Sequence, residues 1–206
     1  MKLFLMIALM VLVSCAPFGK TEYTVWKFLP QESLFFPKGA FSLESRADSF
    51  ENESFSRTLR NMKEPILFKD PSTIETYRFT WLRSFQNPIT IRMEFDHGNV
   101  VLVKKETNDP KLGDTLKFVI NKKNKLSFSD WKTFDDEQQK NPFWKLLPVY
   151  DEGVTRDGEV WILESKKPTG YHVMKRFSPN EGNVFRNYCE ELLRLSGIKT
   201  AMKEIY

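Results

Sequence analysis

The sequence predicts an α+β fold: an antiparallel sheet of about six strands with two main helices packed on one face. Three observations point there. The hydrophobic period is two from Tyr77 onward, it changes to a helical period near Ser127 and again near Asn183, and short turn-forming segments separate the strands. Strands first, then a helix, two more strands and a terminal helix is the order in which helices cover one side of an antiparallel sheet.

The stretch from Ala16 to about Thr76 is irregular, broken by Pro17, Pro30, Pro37, Pro65 and Pro71. It reads as a tether followed by a wrapping segment, because Trp26, Phe28, Phe35, Phe36 and Phe41 are too many large apolar groups to leave in water. Phe55, Leu59 and Met62 recur at helical spacing, which predicts a short helix over residues 50–63 that Pro65 stops. Tyr77, Phe79 and Trp81 alternate with Arg78, Thr80 and Leu82, and Ile89, Ile91, Met93 and Phe95 alternate with Thr90, Arg92 and Glu94. Each set is a strand with one face on a core. Asn87-Pro88 separates the two, Asp96-His97-Gly98-Asn99 turns the chain into a third strand at Val100–Val103, and a fourth is expected at Thr115–Asn121, followed by a turn at Lys122–Lys125.

Ser127 or Ser129 can cap the next helix, with Asp130 in its first turn and Trp131 and Phe134 facing inward, ending before Pro142. Phe143, Trp144, Leu146 and Leu147 then form an apolar staple onto the sheet. A second hairpin follows, Val160–Glu164 and Tyr171–Phe177, across Ser165–Gly170. In the last helix, residues 183–196, Phe185, Tyr188, Cys189, Leu192 and Leu195 share a face, Glu190 and Arg194 are placed for an i,i+4 pair, and Gly197 is the stop.

The first fifteen residues carry the most specific motif. Lys2 is a positive n-region, Leu3–Val13 is an uninterrupted apolar run too short to span a bilayer as a helix, and Leu12-Val13-Ser14-Cys15 closes it. This ending resembles the lipobox of bacterial lipoproteins. The resemblance implies that the Cys15 thiol receives a diacylglycerol, that residues 1–14 are cleaved, and that two or three acyl chains, palmitate among them, anchor the protein. Ala16, where an aspartate would retain a lipoprotein elsewhere, is similar to the outer-membrane sorting pattern, which implies a cell-envelope protein facing the periplasm. The expected organisation is therefore a signal peptide over residues 1–14, a tether and wrapping segment over 15–49, and a single α+β domain over 50–206.

Arg57-Thr58-Leu59-Arg60, Tyr77-Arg78-Phe79-Thr80-Trp81, Phe143-Trp144-Lys145-Leu146-Leu147-Pro148, Trp161-Ile162-Leu163-Glu164 and Tyr171-His172-Val173 together resemble an uncharacterised family of secreted bacterial proteins and lipoproteins. The resemblance covers residues 56–198 and implies no activity.

Composition narrows the function. The formal net charge of +4 falls by one with Lys2, and both signs are spread along the chain, so no basic field for nucleic acid is expected. With Cys15 acylated, Cys189 has no partner, which excludes a disulfide scaffold. Two histidines, His97 and His172, are too few for a zinc site built mainly from His and Cys, so no metal or cofactor is expected. There is no Gly-Xaa-Ser-Xaa-Gly elbow, phosphate-binding glycine loop or His-Glu-Xaa-Xaa-His motif.

Two constellations remain. His172 with Glu164 or Arg176, on the second hairpin, would suit a general base in an envelope hydrolase or transferase if the register brings them to one face; otherwise they are ordinary sheet residues. Arg78, Arg92 and Arg176, if convergent, would bind a small carboxylate or phosphate ligand; otherwise they form cross-strand ion pairs with Glu94 and Glu164. His97 reads as part of a turn. Asp135, Asp136 and Glu137 read as a solvated helix face, and Asp151, Glu152 and Asp157 as an acidic loop without the ligand spacing of an EF-hand. Lys122, Lys123 and Lys125 could touch anionic head groups or simply be solvated. The favoured expectation is a non-enzymatic, membrane-anchored binding or structural module whose partner is another envelope component.

Overall fold

The computed structural model describes residues 30–108, 115–140, 143–148 and 158–198. The signal and lipobox residues, Cys15 included, and the acidic loop at Asp151–Asp157 lie outside them. The fold is α+β. Six strands, β1 (Glu75–Leu82), β2 (Ile89–Asp96), β3 (Asn99–Thr107), β4 (Phe118–Leu126), β5 (Val160–Lys167) and β6 (Gly170–Phe177), form one sheet. Its order is β4-β3-β2-β1-β5-β6, with every pair antiparallel. The helices are α1 (Ser45–Asn61), α2 (Phe128–Lys140) and α3 (Val184–Ser196).

The period of two sorts the strands cleanly. Tyr77, Phe79 and Trp81, Ile91 and Met93, Leu102, Trp161 and Leu163 point to one face, where Trp131 and Phe134 of α2 and Phe185, Tyr188, Cys189, Leu192 and Leu193 of α3 close the main core. Two helices on one face is the expected arrangement. The other face carries a second core, which the sequence reading assigned to a wrapping segment outside the domain. Phe35, Phe36, Ala40 and Phe41 pack with Phe55 and Leu59 of α1 on Ile162 and Val173. Residues 35–41 therefore belong to the folded core with α1, and the boundary expected at residue 50 falls inside α1.

Helix α1 begins at Ser45, earlier than the apolar spacing implied, because the stripe Asp48, Asn52 and Ser56 is buried but polar. Asp48 accepts the backbone N–H groups of Gly39 (2.7 Å) and Phe41 (2.9 Å). Asn52 donates to the Phe36 and Pro37 carbonyls, and Ser56 Oγ accepts from Phe35 N at 2.9 Å. These side chains supply hydrogen bonds to a segment that has no sheet partner of its own, as buried backbone requires.

Other departures are local. Lys122–Lys125 is not a turn but the second half of β4, an exposed edge strand paired only with β3. Pairing overrides the low strand preference of Lys and Asn, and edge lysines are compatible with solvent on both faces. The second hairpin turn contracts to Pro168-Thr169, since β5 continues to Lys167 and β6 starts at Gly170. Helix α2 is capped by Ser127: its Oγ accepts from Asp130 N while Asp130 accepts from Ser127 N, each at 3.1 Å. Helix α3 is capped by Asn183, whose side chain accepts from Phe185 N at 2.9 Å, and ends at Gly197 with φ 68°. Its ion pairs are Arg186–Glu190 and Glu191–Arg194 rather than Glu190–Arg194.

Candidate functional site

Arg78 sits at the centre of the sheet on the α1 face. It pairs with Arg92 of β2 on one side and Glu164 of β5 on the other. Because these residues are directly opposed, their side chains leave the sheet together. Arg78 Nε and Nη2 donate to the two oxygens of Glu164 at 2.5 Å and 2.7 Å, and Nη1 donates to the Pro65 carbonyl at 2.7 Å. Arg92 Nε donates to Glu64 Oε2 at 2.8 Å and Arg92 also pairs with Glu94. Lys105 Nζ lies 2.8 Å from Glu64 Oε1 and donates to the Met62 and Lys63 carbonyls. Tyr171 OH donates to Glu164 at 2.9 Å, and the ring of Phe35 covers the guanidinium of Arg78 at 5.9 Å.

Three cations and three carboxylates thus balance in a compartment in which Arg78, Glu64 and Glu164 side chains have no solvent exposure. Burial works against the ionised Glu64, yet Arg78, Arg92 and Lys105 outweigh it and hold the carboxyl below its ordinary range. At Glu164 burial wins and raises the carboxyl, while the same burial and the carboxylate beside it push the Tyr171 phenol upward. Chemically the cluster joins the end of α1 to three central strands. A ligand would have to displace Phe35 and the Glu64-Pro65 corner to reach a guanidinium already saturated by protein acceptors.

The expected pairing of His172 with Glu164 does not form. Glu164 opposes Val173, while His172 opposes Ser165, so Glu164 and His172 project from opposite faces. A two-residue turn imposes this register. Arg176 is on the His172 face, opposite Trp161, and is therefore separated by the sheet from Arg78 and Arg92. The three arginines do not converge; the cross-strand pair Arg78–Glu164 forms instead, while Arg92 pairs with Glu94 of its own strand and with Glu64.

His172 and Arg176 serve one local purpose. The segment Phe143–Pro148 lies along the outer edge of β6, and Lys175 N donates to the Pro148 carbonyl at 2.9 Å. His172 Nε2 lies 3.1 Å from the Leu146 carbonyl, and its ring contacts Phe143 and Trp144. Arg176 donates to the Leu147 and Pro148 carbonyls at 2.9 Å and 3.2 Å. Burial, with the charge of Arg176, holds the His172 imidazole below its ordinary value against the opposing bond to Leu146. A neutral ring donating to a carbonyl is a strap, and among the described residues no carboxylate orients it for proton transfer.

The remaining candidates fall in place similarly. His97 and Asp96 form an exposed turn, with positive φ at His97 and Gly98. Asp135 is not a solvated helix residue: it accepts from Tyr77 OH at 2.6 Å and pairs with Lys167. Cys189 is buried in the core, which raises its thiol well above the ordinary range. Among the described residues no three His, Cys, Asp or Glu side chains are grouped to hold a metal ion, and no helix is long and apolar enough to cross a membrane. Two surface concavities, of about 210 Å³ at Thr73, Asp96 and His97 and about 250 Å³ between α2 and α3, involve none of Arg78, Arg92, Glu164, His172 or Arg176.

Sequence reasoning missed Glu64, Lys105 and Tyr171 as members of the buried cluster, and Glu159, whose carboxylate accepts Trp81 Nε1 at 2.6 Å and is raised by burial. Glu64 had one signal, its place between a helix end and Pro65, and Tyr171 had another, its place with Glu164 on the second hairpin; Lys105 and Glu159 had none, since Met62, Lys63 and Trp81 lie far from them in the chain. The sequence matches no family model and no curated protein, and the structure matches no solved structure.

Proposed function

We propose that this chain is a lipid-anchored bacterial envelope protein whose α+β domain is a non-enzymatic binding or structural module. One observation supports the non-catalytic part above others: the candidates on the sheet are engaged inside the fold, Arg78 and Glu164 with one another and His172 and Arg176 with main-chain carbonyls. A catalytic group needs a face open to substrate, whereas Arg78 and Glu164 are sealed and Arg176 is buried, and the half-buried His172 is committed to a main-chain carbonyl. The anchored part rests on Leu12-Val13-Ser14-Cys15 after an eleven-residue apolar run, with Ala16 favouring the outer membrane on its periplasmic side.

Growth of cells expressing the full chain with an alkyne-bearing fatty acid tests the anchor. Wild type should be labelled, fractionate with membranes and begin at an acylated Cys15, while Cys15→Ser should be unlabelled. A wild-type chain released without acyl groups would reject it. Cross-linking in intact cells should join the domain to another envelope component; turnover of a substrate that disappears in a well-folded His172→Gln variant would reject the non-enzymatic reading.

A further inference from the structure

We infer that the open edge of the sheet, through Lys63, Lys123 and Lys125, docks the domain flat on an anionic phospholipid surface. Three observations meet here. First, among the described residues β4 pairs with β3 alone, and Lys122, Lys123 and Lys125 are exposed on it. None of them, nor Lys63, forms an ion pair among the described residues, although most other cations of the sheet and of α1 are matched to a carboxylate or a carbonyl.

Second, Lys63, Lys123 and Lys125 share one side, while Lys122, opposite Lys104, points to the other. Lys123 opposes Val103 and Lys125 opposes Val101, so both point to the α1 face. Lys63, just beyond the end of α1, reaches the same strand, its ammonium 5.9 Å from the ring of Phe118. Among the described residues of this face, Glu64 is turned inward to Arg92 and Lys105, and Glu94 is held by Arg92. The stripe therefore presents uncompensated positive charge.

Third, the chain enters the domain beside it. Arg60, one turn before Lys63, donates to the Ser33 carbonyl at 2.7 Å, and Lys69 donates to the carbonyls of Gln31 and Glu32 at 3.1 Å. Glu32 is exposed there, but Arg60 and Lys69 outnumber it. Fifteen peptide steps separate Cys15 from Pro30, at most about 50 Å of chain. A tether of that length keeps the stripe at high effective concentration over the surface, so an attraction that is weak for a free protein becomes sufficient.

Edge lysines also discourage strand pairing, which argues against a second copy as the occupant: two β4 edges side by side would set lysine against lysine. A bilayer carrying phosphate charge complements them instead.

The inference uses the anchored reading for the tether, so its test is made independent of acylation. Full-length Cys15→Ser is sedimented with vesicles of neutral phosphatidylcholine and with vesicles containing about one-third phosphatidylglycerol. Neutral vesicles measure whatever residues 1–14 contribute. Binding to the anionic vesicles should be tighter, should fall away when salt is raised from about 0.1 M to 0.5 M, and should weaken about fivefold for each lysine changed to Gln. Lys123→Gln/Lys125→Gln should thus bind about twenty-five-fold more weakly at an unchanged unfolding midpoint. Equal binding to the two vesicle types, or lysine variants that bind as tightly as their parent, overturns the inference, as would occupancy of the edge by an acidic protein strand with no vesicle preference. Loss of vesicle preference with normal acylation of wild type sinks the docking alone. Absent acylation with preserved preference sinks the anchor alone.

Discussion

Arg78 and Glu164, 86 residues apart in the chain, meet across β1 and β5 through two parallel hydrogen bonds, and neither side chain touches solvent. A pair of this kind is a weak source of net stability but a costly one to break, because the surviving partner stays charged and buried.

Arg78→Met or Glu164→Ala alone should therefore destabilise the protein by about 3–5 kcal/mol. The double variant Arg78→Met/Glu164→Leu should cost clearly less than the two singles added together. Urea unfolding midpoints of the four proteins measure the difference. Additive costs would show that the two residues act independently.

His172 gives stability a sign near neutrality. Its folded value lies below the ordinary 6.5, so below that pH the unfolded chain takes up the proton first, and stability falls as pH drops from about 6.5 through the lowered value. His172→Phe should flatten the stability profile between pH 7.5 and 5.5 relative to wild type. An unchanged profile would place the titration elsewhere.

Glu64 acts further into acid. Its folded carboxyl is held below the ordinary 4.5, so its contribution is present above that value and disappears as pH falls through the lowered one. Glu64→Gln should be less stable than wild type at pH 7, with a shallower loss of stability between pH 5 and 3, followed by circular dichroism.

The helix caps can be tested without touching the core. Ser127→Ala and Asn183→Ala each remove an acceptor for a first-turn N–H and should cost about 1 kcal/mol, read as a lowered thermal midpoint. The glycine variants should cost only a few tenths.

Cys189 should be silent to a thiol reagent in the folded Cys15→Ser chain and should react once denatured, giving one thiol per molecule in denaturant and none before. Rapid reaction of the native chain would contradict its burial against α3's neighbours in the core.

Much of the fold was legible because it is written locally. Tyr77-Phe79-Trp81 and Ile91-Met93 declare a half-buried strand by alternation, Ser127 and Asn183 declare helix starts by hydroxyl and amide, and Gly197 declares an end. The elements misread were those held by distant partners. Lys122–Lys125 is poor in strand formers and becomes a strand only because β3 offers it hydrogen bonds. Asp48, Asn52 and Ser56 look like a solvent face and are buried because the backbone of residues 35–41 needs their polar atoms.

The candidate site was less legible still. The residues Arg78, Arg92, Glu164, His172 and Arg176 could be named, since charged groups on strands are unusual, but their grouping depends on two facts that alternation does not contain. One is that β5 returns to pair with β1; the other is the register of the β5–β6 hairpin. A shift of one residue would exchange the faces of His172 and Val173 and put the imidazole beside the carboxylate of Glu164.

By itself, then, the sequence determined the fold class, the order of the elements, the face that each apolar residue seeks and the helix ends, because all of these follow from spacing, capping chemistry and hydrophobicity along a few turns or strands. Only the tertiary structure decided that the sheet carries a core on both faces, that Arg78 and Glu164 are sealed while Lys123 and Lys125 are open, and that Glu164 and His172 never meet. Those outcomes depend on which strands pair and in what register, and pairing energy comes from residues tens of positions apart that leave no local trace.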